Sequence, residues 1–366
     1  MSWLSNLIPQ KNNQSSGDAD KIEAKASLQK MHLYISVNFS SVKFLGIDEN
    51  QTPHKILVWK EVATGPFEDV EMGKPVRDIY GVLGKVLSQE REILREFGNY
   101  SVAISADGVF FKTITVPKME ATDMQKAVLG EIKKTFPVDF SQVLFAQNDL
   151  GEKQENTKTF FCVLVQKTTF EKFKEVFAKF SINPYFEIET FSLARIPGRD
   201  ENYKLIVHVG KDSTYLVFTH GQIIQNVEVL EMGDNKINNA IEKALQLPFR
   251  DILVLRQYHG ILTEEARLGG QVLDEYVKDF NKALSKAIAL HILEFEKMIG
   301  VEVKDLIITG SDASSKLVKN IHEEFDAELN VEFVGEKYFD QFVAENFMED
   351  DVKKYSVNFG LAKRVK

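Results

Sequence analysis

The chain has 366 residues, of which 44% are hydrophobic and 27% charged, with a formal net charge of −9. These proportions exclude a mainly disordered chain, and the acidic balance argues against a general nucleic-acid binder. No stretch nears the ~18 apolar residues of a membrane-spanning helix, and a single cysteine, Cys162, excludes an internal disulfide or a Cys-rich zinc site.

Residues 1–30 stand apart. Trp3, Leu4, Leu7 and Ile8 share one face at helical spacing, ahead of a polar NNQSSG stretch that reads as a flexible linker. From Met31 the pattern becomes strand-like. Residues 31–39, 40–47 and 54–62 predict three short strands joined by tight turns, an antiparallel meander. A helix is expected over 76–97 on the stripe Ile79, Val82, Val86, Ile93 and Leu94, followed by strands at 101–106 and 109–117.

A second pattern follows. Thr122 or Asp123 caps an expected helix that runs to Phe136, where Pro137 ends it. Strands at 142–150 and 159–167 precede a helix over 168–180, and a further strand begins at 185. That helix carries Phe170, Phe173, Val176, Phe177 and Phe180 at spacings of three and four. The chain has 27 Phe against 2 Trp; Phe brings bulk without a polar handle, so this stripe reads as a helix face packed on a sheet.

The meander returns at 204–210, 213–221 and 222–230. A helix over 234–247 and a long helical region to 299 come next, the latter keeping Phe280, Leu284, Ile288, Ile292, Phe295 and Ile299 on one face. A strand at 305–310, a helix at 314–325, a strand at 330–334 and a terminal helix from 355 with a basic last turn complete the chain. Two meander-plus-helix halves, each with an insert, predict an α/β chain with mixed sheets and two lobes facing across a cleft. The expected divisions are 1–30, 31–117, an insert at 118–192, 193–247, a helical part at 248–303, and 304–366.

Short motifs occur in order along these halves. Residues 35–43 read ISVNFSSVK, 208–214 HVGKDST, 309–311 TGS and 360–364 GLAKR, with FEIETFSLARI at 186–196 before the second half. Over about residues 31–366 the chain resembles the actin-like ATPase superfamily, and within it the PilM-type type IV pilus assembly proteins, with FtsA as a relative. The resemblance implies an actin-like two-lobed fold with subdomains 1A (31–117), 1C (118–192), 2A (193–247 and 304–366) and 2B (248–303).

In such a fold each hairpin turn holds phosphate through backbone N–H groups, which requires small residues, and a carboxylate on each hairpin organises Mg²⁺. This chain departs from that pattern. Ser36 and His208 stand where the carboxylates lie, Asn38 and Phe39 where a Gly and a small residue lie. Leu253 stands at the ribose-facing Glu, and Ser311 at the second Gly of the adenosine turn. The expectation is a degenerate cleft with no catalytic residue, no metal and no resident cofactor. The groups left to hold ATP there are Ser40, Ser41, Lys43, Gly210, Ser213, Thr214 and Gly310. The 7 His show no metal-ligand spacing.

The resemblance also implies a partner: the cytoplasmic N-terminal peptide of a PilN-like inner-membrane protein, lying between the first half and its insert. Strands 109–116 and 143–150 are expected to flank that groove. The peptide resembles I-N-L-L-P followed by a basic residue, and this chain carries Ser5-Asn6-Leu7-Ile8-Pro9 ahead of Lys11. Trp3, Asn6, Leu7, Ile8 and Pro9 are therefore candidates for partner docking or self-association, the linker after them reaching roughly 25 Å. The implied role is a cytoplasmic scaffold, held at the inner membrane by a protein partner and binding no nucleic acid. Two alternatives stay open: a working or weak actin-like ATPase, and an FtsA-like membrane-associated filament or division protein.

Overall fold

The computed structural model describes residues 30–364 apart from 65–68, 72–73, 77, 137, 154, 248–250, 253–263, 311–314, 326–328 and 345–346. The first lobe opens with β1 (Met31–Val37), β2 (Ser41–Asp48) and β3 (His54–Ala63), an antiparallel meander as the alternation predicts. A small hairpin, β4 (Asp69–Glu71) and β5 (Lys74–Val76), follows. The helical stretch then divides into α1 (Ile79–Gln89) and α2 (Arg91–Arg95), where one helix was expected. The Asp78 carboxylate fixes the start by accepting from the amides of Tyr80 and Gly81 at 3.2 and 3.0 Å. Glu90 sits at the break, with its carboxylate on Lys60 of β3 at 2.7 Å.

β6 (Asn99–Ile104) returns to the first sheet, whereas β7 (Val109–Pro117) leaves it. Next come α3 (Ala121–Thr135), β8 (Val143–Asp149), β9 (Thr157–Gln166), α4 (Lys167–Ala178), β10 (Tyr185–Ile188) and α5 (Glu189–Leu193). The insert's sheet has the order β7-β9-β8. The insert thus begins at Val109 rather than 118, and β10 rejoins the first sheet, because backbone pairing and not chain order assigns a strand. Glu120 occupies the cap position of α3 without a side-chain bond, in place of the expected Thr122 or Asp123.

The second lobe holds β11 (Tyr203–Val209), β12 (Thr214–His220), β13 (Ile223–Leu230), α6 (Asp234–Leu245), α7 (Glu264–Ile299), β14 (Asp305–Thr309), α8 (Ser315–Glu324) and β15 (Asn330–Phe333). β16 (Phe342–Val343), α9 (Glu349–Lys354) and α10 (Ser356–Ala362) complete it in sequence, but β16 pairs with β3 of the first lobe.

The duplication is plain in the sheets. In one, β10 and β6 run parallel to β1, with β2 and β3 antiparallel beyond; in the other, β15 and β14 run parallel to β11, with β12 and β13 beyond. Both faces of the central strands are covered, so Leu33, Tyr34, Ile35 and Phe44, Leu45, Ile47 are apolar in runs rather than in strict alternation.

Phe170, Phe173 and Phe177 of α4 are buried, with ring centroids 6.3, 6.4 and 5.7 Å from Phe186 of β10. The Phe-rich stripe is a core face, each ring contributing about 1.5–3 kcal/mol by burial. The long α7 keeps Leu284, Ile288, Ile292, Phe295 and Ile299 on the second sheet, Phe295 stacked 4.2 Å from Phe218. Lys363 and Arg364 follow α10 rather than ending it. Lys363 Nζ donates to the Ile196 carbonyl at 3.1 Å, and Arg364 lies 3.3 Å over the Tyr185 ring. Their role is to pin the C-terminus to the first lobe, not to complement a helix dipole.

Candidate functional site: the hairpin cleft

Two hairpin turns face each other, residues 38–40 between β1 and β2 and residues 210–213 between β11 and β12. In the first turn the Asn38 side-chain oxygen accepts from the Ser40 and Ser41 amides at 3.0 and 2.8 Å. These are the donors that a hairpin of this kind would offer a phosphate, and Asn38 occupies them with an Asx turn. Phe39 is half-buried in the same turn, and its carbonyl accepts from Thr64 Oγ1 at 2.9 Å.

The hydroxyls are also engaged. Ser40 Oγ donates across the cleft to Asp212 Oδ2 at 3.3 Å, and Ser213 Oγ to Asp107 Oδ1 at 3.4 Å. Ser41 donates to Glu61, and the buried Thr214 donates to the Met232 carbonyl at 2.5 Å. Lys43 Nζ donates to the Lys354 carbonyl at 2.9 Å and lies 3.9 Å from Glu61, whose other oxygen is 2.6 Å from Lys354 Nζ. Burial works to raise the Glu61 carboxyl, but the Lys43 charge and the Lys354 contacts outweigh it and hold the group below its ordinary value.

The glycines serve the backbone. The Gly210 amide donates to Ser213 O at 3.0 Å, and the Gly210 carbonyl takes the Asp234 amide at 3.1 Å. Gly310 has φ +105°, and a Cβ there would overlap the Val209 carbonyl oxygen. Ser311 and Leu253 lie outside the described residues, as do Trp3, Asn6, Leu7, Ile8 and Pro9.

The two positions where the resemblance implies carboxylates have other work. Ser36 Oγ donates to Asn358 Oδ1 at 3.0 Å, and Asn358 Nδ2 reaches the carbonyls of Tyr34 and Lys43 at 2.9 and 3.1 Å, locking α10 onto β1 and β2. His208 is buried and stacks on its cross-strand partner Tyr215 at 6.1 Å. Burial, with help from the Lys43 charge, pushes its imidazole down to about 3, so the ring is neutral.

The set departs from the pattern that the resemblance implies. No carboxylate stands at 36 or 208, the first turn's amides are capped by Asn38, and Asp107, Asp212 and Glu61 accept from the serine hydroxyls of the turns. Sequence inspection missed those three acids, and also Lys354 and Tyr215. Ser213 and Asp107 are 106 residues apart, and nothing in a single sequence marks such a pair.

The predicted partner groove has unequal walls. α1 and α4 close the seam between the first lobe and its insert, with Tyr80 and Phe173 edge-to-face at 5.0 Å. β7 turns toward the second lobe, where Thr113 Oγ1 donates to Gln225 O at 2.7 Å and contacts Asn226 Oδ1 at 2.9 Å. Among the described residues, β7 and β8 are the two edge strands of the insert's sheet, with β9 between them. Cys162 is buried in β9, and burial pushes its thiol up to about 12. Among the described residues no group of three or more His, Cys, Asp or Glu is placed to hold a metal, and no helix is long and apolar enough to cross a membrane.

No protein-family model matches the chain, and no curated protein does. Solved structures do match. A chain of the "PilM-PilN type IV pilus biogenesis complex" superposes with TM-score 0.70 at 18% identity, over 90% of this chain and 97% of that one. Ethanolamine utilization protein EutJ from Carboxydothermus hydrogenoformans gives TM-score 0.50 at 10% identity, over 91% and 88%. At such identities the likeness is one of fold alone: the chain has the fold of a chain of the PilM–PilN type IV pilus biogenesis complex.

Proposed function

We propose that this chain is a non-hydrolysing scaffold of a type IV pilus or related secretion machine. It works on the cytoplasmic side of the inner membrane, held there by the N-terminal tail of a PilN-like protein. The fold it shares with a chain of the PilM–PilN complex supports the machine. The observation that carries the loss of catalysis is the first hairpin, where Asn38 takes up the Ser40 and Ser41 amides and Ser40 is bonded to Asp212. ATP held at Ser40, Ser41, Lys43, Gly210, Ser213, Thr214 and Gly310 would bind without turnover.

Two titrations test this. Calorimetry with ATP and Mg²⁺, followed by a phosphate-release assay, is expected to show no turnover; saturable binding with steady phosphate release would make the chain an actin-like ATPase. A peptide of the PilN-like tail is expected to bind the full chain saturably, and absence of binding overturns the scaffold role. Trp3, Asn6, Leu7, Ile8 and Pro9 compete for the same groove or for a second copy, so deletion of residues 1–14 is expected to change peptide affinity or oligomer size.

A further inference from the structure

A polar cluster crosses the cleft beside the hairpins. The first lobe contributes Ser105 and Asp107, just after β6, and Glu189, the first residue of α5. The second lobe contributes Tyr215 of β12 and the turn residues Asp212 and Ser213. Ser105 Oγ and Tyr215 OH are 3.1 Å apart, Ser213 Oγ donates to Asp107, and Ser40 Oγ donates to Asp212. Ser105 Oγ also donates to Asp107 Oδ2 at 2.6 Å. Every one of these groups is tied, and three of the bonds join one lobe to the other.

Glu189 lies at the centre and is 3% exposed. Its Oε1 accepts from the Ala106 amide at 3.0 Å, and the Tyr215 hydroxyl bonds it as well, while the Ser105 hydroxyl, whose proton goes to Asp107, lies beside it. Among the described residues, the titratable groups facing it are Asp107 from the segment after β6 and Tyr215 from β12. β10 presents Glu187, but that carboxylate is committed to Arg195 and Ser192. α10, packed against α5, carries no charged residue from Ser356 to Ala362. Glu189 is therefore a buried carboxyl next to a like charge, at an interface between two bodies.

We propose that the protonation state of Glu189 sets whether the two lobes stay latched across the cleft. Protonated, the carboxyl is neutral beside Asp107, and the cross-lobe bonds form without like-charge opposition. Ionised, it places a buried anion next to the half-buried Asp107, and opening the lobes admits water to both. Burial, with the Asp107 charge, pushes the carboxyl up to about 7, while the Ala106 amide and the two hydroxyls pull against that.

The sign follows from linkage. A group that titrates higher in the closed form favours closure fully below its solvated value, near 4.5, and loses that preference as pH rises through about 7. The closed-to-open ratio falls across that window by at most about 300-fold. The device is independent of partner and nucleotide, so its failure is separable from failure of the scaffold role.

The test is hydrogen–deuterium exchange of the full chain from pH 5.5 to 8.5, corrected for the chemical exchange rate, read at hairpins 38–40 and 210–213. The wild type is expected to lose protection in both hairpins with a midpoint near 7, and Glu189→Gln to hold it constant. Asp107→Asn removes the like charge and is expected to lower the midpoint; Tyr215→Phe removes a bond to the ionised carboxylate and is expected to raise it. These two variants keep the test sharp if Glu189→Gln fails to fold. A flat wild-type profile, or variants that leave the midpoint in place or move it in the same direction, overturns the proposal.

Discussion

Gly360 of α10 meets the Ser192 carbonyl of α5 at backbone distance: a Cβ on Gly360 would overlap that oxygen. The Gly360 carbonyl in turn accepts from Arg195 Nε at 2.7 Å, and Arg195 holds the buried Glu187. The crossing of these two short helices is where the C-terminal segment is fastened to the first lobe. Gly360→Ala is expected to lower stability by about 2–3 kcal/mol in denaturant unfolding, since neither backbone has a flexible end to yield. Gly84→Ala in α1 is the opposite case: a Cβ there meets nothing within 4 Å, so a gain of about 0.5–1 kcal/mol is expected.

Asn38 supplies the acceptor for the amides of its own turn. Asn38→Ala leaves the Ser40 and Ser41 amides without their acceptor, at an expected cost of about 1–2 kcal/mol. Asn38→Asp keeps the acceptor and is expected to restore most of it. Amide exchange at Ser40 and Ser41, fast in the Ala variant and slow in the Asp variant, separates loss of this turn from a global effect.

The cleft also has an acid limb. Glu61 sits below its ordinary value, so its contribution to stability is present above about 4.5 and is lost as pH falls through its lowered folded value. His208 is neutral when folded, while the unfolded chain takes up that proton below 6.5, so stability falls from there toward about 3. His208→Asn is expected to flatten stability against pH between 6.5 and 3, and Glu61→Gln below about 4.5. Urea midpoints across that range, variant against wild type, measure both.

Phe173 of α4, the helix that follows the insert's β9, meets the first lobe twice, at Phe186 of β10 and at Tyr80 of α1. Phe173→Ala removes one ring from that seam, and the expected cost is about 3–5 kcal/mol. A loss below about 1 kcal/mol would show that the insert is loosely seated on α1. Either result bears directly on the partner peptide, which is proposed to lie along this seam.

The local elements were legible because periodicity is a property of neighbours in the chain. β7 was bounded to the residue and β10 was started at the right one, and the stripes of α4 and α7 face the cores that their spacing announced. Element ends were less legible where a side chain from elsewhere decides them, as at Glu90, which answers to Lys60.

By itself the sequence determined the duplicated halves, the apolar faces and the absence of a carboxylate at positions 36 and 208. Tertiary structure alone decided which sheet owns β7 and β10, and what the remaining hairpin groups do. Ser40 meets Asp212 across 172 residues and Ser213 meets Asp107 across 106. Short polar side chains carry no pattern that points to a distant partner, so only the packing of two lobes could turn the hairpin hydroxyls into a set of bonds between them.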